Sequence, residues 1–172
     1  MFKKYFFIAL GILTITSCDK SIEKNVDQVQ LTPKTSASAI TVDESGYQFG
    51  LEWPAALTKQ GKKPAVKYNE TSGVLEIVSG EDIQIEVTDD AIGLDEIKKE
   101  LQDNQMFSYK FYDETPQGFI FQAILPDGTS YFYNFLVQKN IGGKTYLFKS
   151  RDNEEFTLND VKTMMEIAIS AK

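Results

Sequence analysis

Cysteine, histidine and paired carboxylates carry much of protein chemistry, and this chain has one cysteine, Cys18, and no histidine. Its acids gather in three tight clusters, Asp89-Asp90, Asp113-Glu114 and Asp152-Asn153-Glu154-Glu155. Two carboxylates facing each other across a cleft can divide acid and base roles, and several converging on one point can hold calcium. None of the clusters has the spacing of a calcium loop, and all three fall in turn-forming stretches, where solvated charge is the ordinary explanation. The lack of histidine removes the usual general base, every Ser-His or Cys-His nucleophile arrangement and histidine-ligated zinc. Gly142-Gly143 has no helix after it to receive a phosphate. The sequence therefore points away from catalysis, and no metal or cofactor is expected.

What remains is Cys18 and the residues before it. Lys3 and Lys4 make a positive end, Tyr5 to Ile15 is almost wholly apolar, and Thr16-Ser17 supplies small residues ahead of a cut. An apolar run of about 11 residues is too short for a bilayer core that needs about 20, so it reads as an export signal over 1–17 rather than an anchor helix. The order Ile15-Thr16-Ser17-Cys18 resembles the lipobox of bacterial lipoproteins. That resemblance implies a diacylglycerol on the Cys18 sulfur, cleavage before it and a further acyl group on the freed amine. Two or more chains are the level at which anchoring becomes stable. The alternative is an ordinary secretory signal cut nearby, with Cys18 left as a free thiol.

The resemblance places the protein in the cell envelope, with the membrane as a partner through the anchor on Cys18. Asp19 follows the cysteine, and in enteric bacteria an aspartate there is associated with retention in the inner membrane. The Phe, Lys and Asn usage suits a Bacteroidota-like source, to which that rule does not transfer safely, and the outer membrane is favoured over the inner. No other stretch of the chain specifies an activity.

Without the signal the chain keeps 155 of its 172 residues, enough for one domain plus a tail. Losing Lys3 and Lys4 from the 18 basic side chains leaves 16 against 25 acids, a net charge of −9. Nucleic acid is thus a poor partner. With Cys18 acylated no thiol remains for a disulfide, so packing alone must hold the fold. The aromatic content of 12 % argues for a packed domain.

Residues 18–39 are rich in Ser, Thr, Lys, Asp and Gln and read as a flexible tether behind the lipidated cysteine, with a coil reach of about 25 Å. Ile22, Val26 and Val29 stand at helical spacing within it, so a short helix is the alternative there. A single globular domain is expected over 40–172. Tyr47, Phe49, Leu51 and Trp53 alternate with Gln48, Gly50 and Glu52, the mark of a half-buried strand ended by Pro54. Ala65 to Tyr68 is a short strand, and Val74 to Val78 with Ile83 to Val87 reads as a hairpin. Leu94, Ile97 and Leu101 mark an amphipathic helix. Four alternating segments follow, running from Phe107 to Phe111, Phe119 to Leu125, Tyr131 to Val137 and Thr145 to Lys149, joined by turn chemistry such as Pro126-Asp127-Gly128. Thr157 with Asp160 opens a final helix in the manner of a capping box, although the usual partner is Glu or Gln.

These elements define an α+β fold, an antiparallel sheet of about six or seven strands with two helices packed on it. In outline the order of elements resembles the α/β/α sandwich of PsbP and Mog1, without a shared residue motif; a cystatin-like helix-on-sheet arrangement fits as well. Phe132 and Leu136 would lie opposite Tyr131 and Tyr133, and Ile120 and Ile124 opposite Phe119 and Phe121, so this part of the sheet is apolar on both faces. Either the two helices cover both faces, or one face stays partly open and binds something; Trp53, beside Pro54, is the exposed-aromatic candidate for such a surface, its alternative reading being a core residue.

The expected function is a non-catalytic binding or accessory module for an envelope protein partner or a hydrophobic ligand. The alternatives are an acidic inhibitor or immunity lipoprotein neutralising a basic toxin or lysozyme, and a carboxylate-only hydrolase. The address is tested directly. Native protein should carry acyl mass and sediment with membranes, whereas Cys18→Ala should be released; an unmodified thiol in a soluble wild type would overturn the lipobox reading.

Overall fold

The computed structural model describes residues 37–172 apart from 90, 91 and 153. Cys18, the signal and the tether as far as residue 36 lie outside the described residues. Nine strands and three helices follow one another as β1 (Ser38–Glu44), β2 (Tyr47–Trp53), α1 (Ala55–Lys59), β3 (Ala65–Asn69), β4 (Val74–Ser79), β5 (Ile83–Asp89), α2 (Leu94–Gln102), β6 (Ser108–Thr115), β7 (Gly118–Ile124), β8 (Tyr131–Ile141), β9 (Lys144–Ser150) and α3 (Leu158–Ile169). The expected tether reached Ala39, but pairing begins earlier, with Ser38 opposite Trp53.

The fold is α+β. Seven strands form one antiparallel sheet in the order β3-β4-β5-β9-β8-β7-β6, and β1-β2 is a separate hairpin. Strand alternation gives the large sheet two apolar faces. On the first face Leu75, Ile77, Ile85, Val87, Ile120, Phe135, Val137 and Phe148 are buried together with β2 and α3. The predicted alternation of β2 holds: Tyr47, Phe49, Leu51 and Trp53 point inward, while Gln48 and Glu52 are exposed. Phe49 stacks edge-on to Phe148 at 5.4 Å between ring centres. Each such side chain contributes roughly 1.5–3 kcal/mol of burial.

Helix α3 covers the rest of that face with Val161, Met164, Met165, Ile167 and Ala168. Its capping box is complete with aspartate in the usual glutamate position, because the Asp160 backbone N–H donates to Thr157 Oγ1 at 3.3 Å and the Thr157 N–H donates to Asp160 Oδ2 at 2.9 Å. On the second face α2 lays Leu94, Ile97 and Leu101 over Phe119, Phe121, Leu136 and Leu147.

The Asp113-Glu114 cluster, expected in a turn, lies instead in the last part of β6, where the pairing with β7 is irregular, and reaches a helix on each face. Lys162 of α3 pairs with Asp113 at 2.9 Å, and Lys98 of α2 pairs with Glu114 at 2.5 Å. Exposed pairs of this kind are worth only about 0–1 kcal/mol each. They link the end of β6 to α2 on one face and α3 on the other. Gly142 and Gly143 have φ of +60° and +83°, which is the backbone a two-residue hairpin turn demands.

Gly118, the first residue of β7, is needed for space rather than for φ. A Cβ there would stand 2.1 Å from the Leu136 carbonyl oxygen and 2.9 Å from the Val137 Cα, both backbone atoms of the neighbouring strand. Gly118→Ala should therefore destabilise the fold by about 3 kcal/mol or more, since backbone cannot yield as a side chain can. Gly50→Ala, whose Cβ would find its nearest atom at an ordinary 3.7 Å, should stay within about 1 kcal/mol of wild type. Urea unfolding of the two variants measures the contrast.

Candidate functional site

Helix α2 has nine residues and is about 13 Å long, so it cannot shield the whole apolar part of the second face. Beyond its C-terminal turn, where β6, β7 and β8 reach the end of the sheet, a half-open groove of about 770 Å³ remains. Its floor is set by register. Tyr109 pairs with Ala123, Ala123 with Phe132, and Phe121 with Asn134, which brings these side chains onto one face in adjacent strands. Leu101 of α2 forms one wall.

Aromatic contacts hold the floor in place. The Tyr109 ring lies 5.8 Å from Phe121, and Phe107 bridges Tyr109 and Phe132 at 6.3 Å from each. Burial pushes the Tyr109 hydroxyl pKa above its ordinary value, so the floor stays uncharged at neutral pH. Met106 and Tyr131, 70 % and 55 % exposed, are large apolar side chains left open on segments that border the aromatic floor. Tyr131 borders the groove, but its ring lies against Tyr133 on the other face of β8, 5.6 Å between ring centres.

The β7-β8 turn contributes Leu125 and Ser130 to the lining. The expected turn chemistry of Pro126-Asp127-Gly128 is present: Asp127 Oδ1 accepts from the Thr129 and Ser130 N–H groups at 2.9 and 2.8 Å, and Gly128 has φ of +70°. The Ser130 and Thr129 donors hold the Asp127 carboxyl below its usual pKa, the Ser130 N–H most strongly.

The opposite wall comes from the third acid cluster, through Asp152, Glu154 and Glu155. Flanking residues fix its path. The Arg151 N–H donates to the Gln84 carbonyl at 3.0 Å and its guanidinium donates to Gln84 Oε1 at 2.9 Å while pairing with Glu76. Lys149 pairs with Glu86 at 3.2 Å and with Asp152 at 2.5 Å. On the other side Phe156 is buried in the core next to the start of α3.

The charges tune one another accordingly. Burial alone would pull the Lys149 pKa down, but the hydrogen bonds and charges of Asp152 and Glu86 outweigh it and raise it. Glu76 is held below its usual value chiefly by the Asn69 side-chain hydrogen bond, helped by Arg151 against the opposing effect of burial. Asp152 is thus occupied by Lys149. Glu154 and Glu155, both exposed, have no ion-pair partner among the described residues.

Two expectations about surfaces need correction. Trp53 is not an exposed aromatic: it is 1 % exposed, and its indole N–H donates to the Lys62 carbonyl at 3.0 Å. The β1-β2 hairpin lies on the sheet, so the last residue of β2 faces the core and cannot serve as a binding surface. The acid clusters also do not act alike. Asp113-Glu114 binds two helices, Asp89 ends β5 while Asp90 lies outside the described residues, and only the third cluster borders a concavity. Among the described residues no group of three or more Asp, Glu, His or Cys side chains converges as metal ligands would.

The groove itself was half visible in the sequence. Its aromatic lining and its acids were both apparent, but their juxtaposition depends on the β6-β7-β8 register and on the path of 151–156. No family model, curated protein or solved structure matches the chain.

The ion-pair lattice behind the acidic wall makes a pH prediction. A carboxylate whose folded pKa is depressed adds stability above its unfolded value near 4.3 and loses it as pH falls through the lower folded value. Stability should therefore decline below about pH 4.3. Glu76→Gln should shallow that acid limb while lowering stability at pH 7, read from thermal melts between pH 3 and 7.

Proposed function

We propose that this chain is a lipid-anchored cell-envelope binding module, acting without catalysis, whose ligand seats in the groove at the ends of β6, β7 and β8. The observation that carries the reading is the concave aromatic floor of about 770 Å³. Small-molecule sites typically measure about 300–1,000 Å³, with a mostly apolar lining and a few polar groups. The aromatic floor favours a ligand with a hydrophobic body over the flat acidic surface that an inhibitor of a basic toxin would present, while polar and acidic residues supply much of the remaining lining. In this reading Cys18 supplies the membrane attachment and the tether sets the domain clear of the headgroups. The lack of histidine, and acids already engaged by lysines or borne by a groove wall, support binding over hydrolysis.

The neutral fluorophore N-phenyl-1-naphthylamine tests the site. It should brighten on titration into the wild type. Phe132→Ala should weaken it by on the order of 10-fold, the scale of a lost aromatic contact plus its buried area. Tyr131→Ala, which removes a ring that lies against Tyr133 on the other face of β8, should bind as the wild type does. Tyr131 is exposed enough for its variant to keep the wild-type melting temperature. Equal binding to all three proteins would place the hydrophobic site elsewhere and overturn this reading.

A further inference from the structure

The groove is unlike on its two sides. Its floor and the α2 wall are aromatic and aliphatic, whereas Glu154 and Glu155 add two carboxylates to the facing wall without an ion-pair partner among the described residues. A neutral hydrophobic ligand would leave these charges to water alone and draw nothing from them. An anionic ligand would be repelled by them. From this charge complementarity we infer that the groove selects a small amphipathic organic cation, an amine or guanidine joined to an aromatic or aliphatic body, with the body on the Phe121-Phe132 floor and the charged head toward Glu154 and Glu155.

Several features agree on this orientation. The groove, about 770 Å³, is lined by α2, three strands, the β7-β8 turn and the acids Asp152, Glu154 and Glu155, a volume that suits an occupant of small-molecule size. The π-faces of the floor attract a cation as well as a hydrocarbon body. Asp152 is engaged by Lys149, which it shares with Glu86, so the selecting charge falls chiefly on the next two acids. Half-solvated carboxylates make only modest ion pairs, so the preference for a cation should be several-fold and should weaken with salt. The inference rests on the reading of the groove as a ligand site.

Three probes sharing one fluorophore and differing in charge separate the two ideas: dansylcadaverine as cation, dansylamide as neutral form and dansylglycine as anion. Affinity for the wild-type domain in 50 mM salt should fall in that order, with about 3- to 10-fold between cation and neutral form. The double variant Glu154→Gln and Glu155→Gln, conservative and on the surface, should bring the cation to the level of dansylamide and leave dansylamide unchanged. Equal affinity of all three probes, with no response to the double variant, would overturn the cation preference while leaving the hydrophobic site in place. If none of the probes binds, the ligand-site reading fails and this inference with it. Capture of the cation that persists unchanged in the double variant would likewise overturn the assignment to these two acids.

Discussion

A sheet that is apolar on both faces has to be covered on both faces, and most of this molecule follows from how that demand is met. On the first face α3 and the β1-β2 hairpin together bury an unbroken cluster from Leu75 to Phe148. The hairpin is needed because α3, with twelve residues, cannot cover seven strands alone. On the second face only α2 is available, and its nine residues leave the ends of β6, β7 and β8 open. The groove is the remainder of that cover.

The same face handles its other half by a different means. Toward β4 and β5 the outward positions are Glu76 and Glu86, which meet Arg151 and Lys149 in a lattice of ion pairs. These side chains need partners rather than a lid, and among the described residues no buried side-chain nitrogen or oxygen is left without one. The lattice also carries the segment that walls the groove, so the polar half of the face positions an edge of the apolar half. A change to Arg151 or Lys149 is therefore felt by the groove although neither residue lines it.

Much of this was legible along the chain because strands and helices announce themselves by period. The alternation from Tyr47 to Trp53, the spacing of Leu94, Ile97 and Leu101, and the Thr157-Asp160 pair each mapped onto an element of the structure. Helix α1 was not foreseen, since five residues after a proline are too few to show a helical period. Trp53 was left between surface and core for a related reason, and the core reading is the one that holds. Its place beside Pro54 marks the end of a strand, but says nothing of the α1 turn that brings the Lys62 carbonyl to its indole. The acidic wall was noticed as a run of charge; its position opposite an aromatic floor is a tertiary fact, fixed by pairings such as Phe121 with Asn134 that no local pattern encodes.

The position of β9 has a consequence for how the domain is made. It lies between β5 and β8, and it joins the β3-β4-β5 unit to the β6-β7-β8 meander through pairs such as Ile85 with Ser150. Contacts this distant in sequence raise contact order and delay folding. As the chain emerges from its N-terminus, β5 therefore presents a bare sheet edge bearing Ile83, Ile85 and Val87 until the residues of β9 follow. This interval is the aggregation-exposed one. The two-glycine turn at 142 and 143 shortens it, because β9 folds back onto β8 locally and the completed hairpin then closes both halves in a single docking step.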